Sequence, residues 1–162
     1  MTTNIRPMLK TDKPALMRIL RNTPEFKPAE VVVAEELIDG YLEDSVAYGY
    51  YILIAESDSG LTGYICYGPT PLTESTWDIY WMAVAPGKQG QGIGGALLEA
   101  AEGKISQANG RLAIIETSSI PSYEKTVRFY LGHKYGIVAT IPDFYEPGDG
   151  KIILTKRMSS GQ

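Results

Sequence analysis

A glycine-rich turn between an apolar strand and an apolar helix restricts the fold of this chain more than any other stretch. Four glycines lie within residues 90–95, after a strand predicted at 76–84 and at the start of a helix predicted from Gly92. Glycine has no Cβ, so the backbone of such a turn can approach a ligand closely. The first N–H groups of a helix have no partner inside it, and the helix dipole favours anions there. We therefore predict that the turn binds a phosphate group.

Composition and charge narrow the class of protein further. A length of 162 residues suits one domain, expected to span 1–162. The formal net charge of −4 does not favour nucleic acid as a partner. The N-terminal segment is too polar for a signal peptide, and no apolar run approaches the roughly 20 residues of a membrane span, so a cytoplasmic protein without a membrane partner is expected. Cys66, the one cysteine, lies in an apolar run and is predicted to be buried and unreactive; no metal site is expected.

The spacing of apolar residues predicts an α+β domain with a mixed sheet. Helices are expected at residues 11–21, 28–42, 92–110 and 122–135, and strands at 5–9, 50–55, 61–67, 76–84, 112–116, 136–141 and 151–155. Alternation along the strand at 76–84 would place Asp78, Tyr80, Met82 and Val84 on one face. Residues 143–150 are expected to form either a plain hairpin loop or a flap over a substrate. Tyrosines near residues 48–51 and 64–67 would line either the core or a substrate cleft.

The glycine-rich turn also satisfies the dinucleotide pattern G-x-G-x-x-G, and Glu116 lies about 20 residues further on, where that pattern has an acid. Three features argue against this interpretation. Five residues separate the turn from its strand, the motif lies mid-chain, and too few residues follow for a second nucleotide-binding half. A Walker-type loop is excluded because no Gly-Lys-Ser/Thr follows.

The motif Gln89-x-x-Gly92-x-Gly94 follows a strand ending Met82-Ala83-Val84 and precedes a helix rich in alanine and leucine. This arrangement resembles the acetyl-CoA signature of the GNAT N-acetyltransferases. Ile5-Arg6-Pro7 and Phe129-Tyr130 resemble other parts of the family pattern, and the resemblance covers about residues 4–158. It implies an α+β fold with a central mixed, mostly antiparallel sheet of about six or seven strands, about four helices, and splayed central strands.

The resemblance also implies acetyl-CoA as the cosubstrate, without a metal. Pantetheine would enter the gap between the splayed strands and pair with backbone around Met82 and Val84, and the pyrophosphate would lie on the amides of residues 90–95. The implied cofactor-binding residues are Met82, Ala83, Val84, Gln89, Gly90, Gln91, Gly92, Ile93, Gly94 and Gly95. The alternative is that these glycines form an ordinary tight turn.

Tyr130 resembles the tyrosine that protonates the departing thiolate of coenzyme A. A phenol with a pKa near 10 is well matched to a thiolate of similar basicity. The alternative is a core aromatic residue on its helix. The family often continues Phe-Tyr-x-x-x-Gly-Phe, whereas Lys134 stands at the glycine position here, so the helix is expected to end differently.

Two carboxylates compete for the role of general base. Asp78 lies on the motif strand and Glu116 ends the next strand, and both positions carry an acid in some relatives. The alternatives are an exposed Asp78, a Glu116 that pairs with Arg128, or a water chain that needs neither. His133 is expected to be a surface residue rather than a catalyst.

The function implied by the resemblance is transfer of an acetyl group from acetyl-CoA to a primary amine, directly and in a ternary complex. The acids of the second helix, Asp78, Glu116 and the late loop would suit a cationic acceptor, either a small polyamine-like or aminoglycoside-like molecule or a protein amine. A charged helix face is, however, often simply solvated. The sequence does not determine the oligomeric state; homodimers are common among relatives, so a homodimer is one candidate assembly. The rival interpretations are a non-catalytic CoA-binding module and an NAD(P)-dependent oxidoreductase.

Overall fold

The computed structural model of the chain describes residues 2–158. Its strands are β1 Asn4–Pro7, β2 Tyr51–Ser57, β3 Gly60–Pro69, β4 Thr76–Val84, β5 Leu112–Ser118, β6 Gly136–Glu146 and β7 Asp149–Arg157. Its helices are α1 Lys13–Arg21, α2 Pro28–Tyr48, α3 Ile93–Gln107 and α4 Glu124–Gly132, with short 3-10 turns at Lys10–Asp12 and Pro121–Tyr123. Each predicted element is present, and the ends differ by a few residues.

The seven strands form one sheet in the order β1-β2-β3-β4-β5-β7-β6. Neighbouring strands are antiparallel except β4 and β5, which are parallel. The parallel pair requires a crossover connection, and α3 supplies it. The predicted mixed, mostly antiparallel sheet flanked by four helices is therefore confirmed.

Helices cover both faces of the sheet and bury a separate apolar cluster on each. The cluster under α3 and α4 includes Leu97, Leu98 and Leu154, and the cluster under α1 and α2 includes Leu16 and Ile38. Tyr64 and Tyr67 are buried within these clusters, so the second tyrosine-rich segment belongs to the core.

Two local predictions need correction. Residues 143–146 are part of β6 and residues 149–150 are part of β7, so the expected loop is a strand hairpin with a turn between Glu146 and Asp149. The helix expected to end near residue 42 continues to Tyr48, although Asp44 has non-helical backbone angles (φ −161°, ψ 93°). The helix is therefore kinked close to the position where the sequence predicted its end.

Candidate active site

The two central strands separate in the middle of the sheet. β4 and β5 pair over four residues of each strand, ending at Ile79 and Ile115. Beyond that point β4 continues to Val84 and β5 to Ser118, and the two strands no longer pair with each other within residues 2–158. The backbone of β4 is therefore available on its β5 side to a ligand that can hydrogen-bond like a strand.

A β-bulge lies at the point of separation. Ile79 pairs with Tyr67 and Trp81 with Cys66, so Tyr80 is an extra residue in β4. Met82 packs against the cluster under α3 and α4, whereas Tyr80 packs against the opposite cluster. The predicted alternation, with Asp78, Tyr80, Met82 and Val84 on one face, is therefore wrong. The bulge shifts the side-chain phase by one residue, a disruption that often occurs beside active sites.

A cavity of about 570 Å³ occupies the space between the separated strands. Residues from β4, β5, the start of α2, α4 and the β6–β7 hairpin line it. Its lining includes all three predicted catalytic side chains, Asp78, Glu116 and Tyr130, and also Met82. Residues that are distant in sequence thus meet around one space large enough for a small molecule.

Tyr130 is 4% exposed, and burial raises the pKa of its phenol. Its ring packs edge-on against Phe129 and Tyr135. Within the described residues the hydroxyl has no hydrogen-bond partner, yet it is not sealed in the protein, because only the Tyr64 hydroxyl is both buried and unpartnered there. The Tyr130 hydroxyl therefore reaches the cavity as a neutral O–H that is free to donate.

Asp78 is half-buried, and its Oδ2 accepts a hydrogen bond of 2.6 Å from the Thr70 hydroxyl. Thr70 follows β3, so the turn between β3 and β4 fixes one oxygen of this carboxylate. Asp78 is neither free at a strand start nor ion-paired within residues 2–158.

Glu116 is exposed towards the cavity and forms an ion pair with Lys151 on β7. The predicted alternative partner, Arg128, instead lies 3.9 Å from Glu124 on its own helix. Lys151 was not singled out from the sequence, because its pairing with Glu116 depends on the β5–β7 register, in which Ser118 is opposite Lys151.

The glycine-rich turn joins β4 to α3 and presents a row of backbone donors. Within the described part of the chain, no N–H group of residues 90–95 donates a hydrogen bond, and the first bond of the helix runs from Ala96 N to Gly92 O at 3.0 Å. Gln89 Nε2 lies 3.5 Å from Val84 O and ties the turn back to the end of β4. Six consecutive unpartnered amides at a helix N-terminus form an anion-binding arrangement.

The glycines of the turn have two different structural tasks. Gly90 and Gly92 have φ values of +77° and +81°, a left-handed conformation that side chains disfavour. Gly95 has an ordinary φ, but a Cβ there would lie 3.2 Å from the His133 imidazole. The first pair shapes the turn, and Gly95 lets α4 approach α3.

Neither His133 nor Cys66 lines the cavity. His133 is half-buried against the ring of Phe129, with ring centroids 4.5 Å apart, so it is a packing residue and not a free surface residue. Cys66 is buried in the core, and burial raises the pKa of its thiol, as expected for an unreactive cysteine.

Sequence reasoning missed several cavity residues, notably Glu30, Trp81, Tyr123 and Asp149. Tyr123 joins two walls of the cavity, because its hydroxyl lies 3.0 Å from Glu25 O and 3.3 Å from Glu30 Oε2. None of these residues belongs to a motif, and only the late acidic loop gave any signal.

Comparison with known proteins identifies the family. The family model described as the acetyltransferase (GNAT) domain matches residues 48–136. A structure from Desulfovibrio desulfuricans assigned to the GNAT acetyltransferases is 40% identical, with a TM-score of 0.93, over 98% of this chain and 100% of that one. The chain belongs to the GNAT family of acetyltransferases. It is thus an acyltransferase, and the oxidoreductase interpretation of its glycines is set aside.

Two less similar acetyltransferase structures share the fold. A Salmonella typhimurium acetyltransferase solved with its cofactor acetyl-CoA is 18% identical, with a TM-score of 0.78, over 97% of this chain and 94% of that one. An aminoglycoside 6'-N-acetyltransferase complexed with coenzyme A is also 18% identical, with a TM-score of 0.76, over 96% and 97% of the two chains. The search of curated proteins found no match.

Among residues 2–158 of this acetyltransferase, no helix is long and apolar enough to cross a membrane.

Proposed function

We propose that this acetyltransferase moves an acetyl group from acetyl-CoA to a primary amine, directly and with both substrates bound. The observation that carries the proposal is the single cavity at the β4–β5 separation, lined by Tyr130, Asp78 and Glu116. A proton donor and two carboxylates facing one space match the needs of the reaction, in which an amine must lose a proton and a thiolate must gain one.

The residues present fit acetyl-CoA. The unpartnered amides of residues 90–95 suit a pyrophosphate, and the unpaired side of β4 around Met82 and Val84 suits the amides of pantetheine. Two structural neighbours contain coenzyme A or acetyl-CoA, which is consistent with this assignment. Acetyl-CoA supplies the acetyl group as a thioester, whose sulfur leaves as a thiolate.

Tyr130 is the proposed general acid. Its hydroxyl reaches the cavity with its proton uncommitted, and burial raises the pKa of the phenol, so the proton is retained until a strong base is present. A thiolate is such a base when water is excluded around it. Backbone N–H groups around Met82 are the proposed donors to the thioester carbonyl oxygen.

Asp78 and Glu116 remain the two candidates for the general base. Asp78 has one oxygen bound by Thr70, and Glu116 is paired with Lys151. Either carboxylate can accept a proton from the amine directly or through a water molecule. Single changes to asparagine and glutamine distinguish them, because loss of the base lowers kcat by about 10²-fold or more and loss of the other carboxylate does not.

Thermal-shift titrations with acetyl-CoA, CoA, NAD+ and NADPH test the cosubstrate. Ligand present at a hundredfold excess over Kd adds about 2.7 kcal/mol to the free energy of unfolding. Stabilisation by acetyl-CoA and not by the nicotinamide cofactors is the expected result. A panel of amines, followed by release of free thiol, then tests transfer. Absence of stabilisation by acetyl-CoA, or transfer to no amine, would contradict the proposal.

We also propose that the protein forms a homodimer, and the exposure of the edge strand β6 supports this proposal. All eleven residues of this edge strand are exposed, including Ile137, Val138 and Ile141. The bulge at Val138 and the proline at position 142 interrupt the free edge and disfavour continuous strand pairing. A second copy would therefore bind mainly through side chains.

A further inference from the structure

A hydrogen-bonded network of three side chains contacts Tyr130, through one of its members, from outside the cavity. Tyr135, the residue before β6, is 3% exposed, and its hydroxyl donates a hydrogen bond of 2.8 Å to Glu102 Oε2. The Lys156 ammonium lies 3.0 and 3.1 Å from the two oxygens of the same carboxylate. Within residues 2–158, the cavity lining includes Tyr130 but none of these three residues. The network is therefore a separate feature beside the candidate active site.

The network connects three parts of the chain that are distant in sequence. Glu102 is on α3, Tyr135 follows α4, and Lys156 is on β7. The side chains of Glu102 and Lys156 are only 15% and 24% exposed, so their ion pair is less screened by water than a surface pair. Each carboxylate oxygen has a charged donor, and the Tyr135 hydroxyl adds a second donor to Oε2. A network with these partners restricts the position of the Tyr135 ring.

Tyr135 is fixed at its hydroxyl and at its ring. Burial raises the pKa of the Tyr135 phenol, and the hydrogen bond to Glu102 raises it further, so the hydroxyl keeps its proton and remains a donor. The Lys156 ammonium lies 5.5 Å from the centre of the Tyr135 ring, within the range of a cation–π contact. Both contacts oppose displacement of this ring.

The Tyr135 ring is a direct neighbour of the proposed general acid. It packs edge-on against the Tyr130 ring, with centroids 5.7 Å apart, and Tyr135 N donates to Tyr130 O at 3.0 Å. Phe129 also packs edge-on against Tyr130, but its side chain carries no polar group that could anchor it. The Tyr130 hydroxyl has no hydrogen-bond partner within the described residues, so packing sets its direction.

Proton transfer depends on the direction of the Tyr130 hydroxyl. A general acid must lie within about 2.6–3.2 Å of the atom that it protonates. A displacement of about 1 Å at a reacting group can lower a rate by about 10²-fold. An acid without a hydrogen-bond partner of its own therefore depends on the rings packed against it, and Tyr135 is the neighbour that is tied to a charged pair.

We propose that Tyr135, Glu102 and Lys156 are positioning residues that keep the Tyr130 hydroxyl directed into the cavity. The proposal rests on the proposed function, in which Tyr130 protonates the departing thiolate. Because the network acts through Tyr130 and contacts neither substrate, it contributes to kcat and leaves substrate binding unchanged.

Two conservative substitutions test the network. Tyr135→Phe keeps the ring and removes its hydroxyl, whereas Glu102→Gln keeps an acceptor oxygen for Tyr135 and removes the charge that binds Lys156. Each variant is expected to lower kcat by about tenfold, while KM for the amine and the Kd for acetyl-CoA stay unchanged. If one variant does not fold, the other carries the test. An unchanged kcat, or a rise in KM without a fall in kcat, would overturn the positioning role.

Tyr41→Phe is the matched control. The Tyr41 hydroxyl donates to Met8 O at 2.9 Å on the opposite face of the sheet, outside the cavity. Its removal also deletes one partly buried hydrogen bond, so a loss of stability is expected with kcat unchanged. A similar fall in kcat for Tyr41→Phe would trace the effect to stability and contradict the proposal.

A double variant separates positioning of the acid from a general structural effect. If Tyr135 acts through the Tyr130 hydroxyl, the enzyme carrying both Tyr135→Phe and Tyr130→Phe has the same kcat as Tyr130→Phe alone. A further fall of about tenfold in the double variant would show that Tyr135 acts by another route, against the proposal.

Fluorine NMR separates failure of this proposal from failure of the proposed function. If the wild-type enzyme acetylates no amine, the proposed function fails, and enzyme labelled with 3-fluorotyrosine still tests the network. The Tyr130 signal is identified by its absence from the spectrum of Tyr130→Phe. A Tyr130 signal that shifts or broadens in Glu102→Gln, and not in Tyr41→Phe, supports the positioning role. Identical Tyr130 signals in the wild type and in Glu102→Gln would overturn it.

Discussion

Two buried tyrosines, Tyr64 and Tyr130, differ in the surroundings of their hydroxyl groups. Tyr64 is 1% exposed, and its hydroxyl is buried without a partner in the cluster under α1 and α2. Tyr130 is buried to a similar extent, but its hydroxyl reaches the cavity. Exposure alone therefore does not distinguish a core phenol from the proposed proton donor, and the surroundings of the hydroxyl group do.

Replacing Tyr130 by phenylalanine removes that donor with little change in volume. We expect kcat to fall by about 10²-fold or more, because loss of a positioned acid has this order of effect. Binding of acetyl-CoA, measured by thermal shift, should be retained. An unchanged kcat would show that the thiolate is protonated from elsewhere.

Tyr64→Phe is the matched control and a prediction in its own right. It removes a buried hydroxyl without a partner, so the free energy of unfolding is expected to stay unchanged or to rise by about 1 kcal/mol. Activity should be unaffected. Denaturant unfolding measures the first quantity, and a loss of more than about 1 kcal/mol would mean that the hydroxyl has a partner in solution.

Lys134 occupies a conformation that suits glycine. Its φ is +73°, and Tyr135 N donates to Tyr130 O at 3.0 Å across the helix end. The sequence predicted that a lysine at this position would make the helix end differently, and this is wrong, because the lysine takes the left-handed conformation itself. The left-handed conformation of Lys134 strains the backbone and lowers the stability of the fold relative to a glycine at this position.

The Lys134→Gly variant should therefore be more stable by about 1 kcal/mol, with activity unchanged. Chemical denaturation is the appropriate measurement. Lys125→Gly on the exposed face of α4 is the control, and it should lose about 1 kcal/mol because its backbone is helical. A loss of stability in Lys134→Gly would contradict the strain argument.

At the scale of elements, ion pairs among charged side chains link β1 to the start of α1. The Arg6 guanidinium binds both carboxylate oxygens of Asp12, at 2.8 and 2.9 Å, and also Glu56 on β2. The hydrogen bond from Arg6 lowers the pKa of the Asp12 carboxyl, although partial burial opposes this. Leu9 N adds a hydrogen bond of 2.7 Å to the same carboxylate.

Asp12→Asn is expected to lower the free energy of unfolding by about 2 kcal/mol at pH 7. Because the folded pKa is depressed, the contribution is complete above the unfolded pKa of about 3.9 and is lost as pH falls through the folded value. The difference between wild type and Asp12→Asn should therefore shrink below pH 4. A difference that is independent of pH would contradict the assignment.

At the scale of the whole molecule, β6 is an edge strand of the sheet, and all its residues are exposed. Val138 is 61% exposed and lies at the bulge of this edge strand. If two copies pack on this face, Val138→Glu should convert a dimer into a monomer in light-scattering measurements, because like charges would face each other. Val46→Glu, at a valine on α2 that is 78% exposed, is the control and should not change the mass. A wild-type monomer would contradict the homodimer.

Much of the fold could be predicted because its signals are local. The helix and strand order and the glycine-rich turn at the start of α3 all follow from patterns within about ten residues, and the structure has the corresponding elements. The family resemblance added the splayed strands, which the four-residue ladder between β4 and β5 confirms.

The tertiary structure alone decided the environment of each functional side chain. The bulge at Tyr80 and the Lys151 partner of Glu116 arise between strands that are separate segments of the sequence. Periodicity cannot report them, because a side chain's partner depends on the register between strands and not on its neighbours in the chain. The sequence by itself determined the fold and the glycine-rich turn, and the packing of distant strands decided which groups face the cavity.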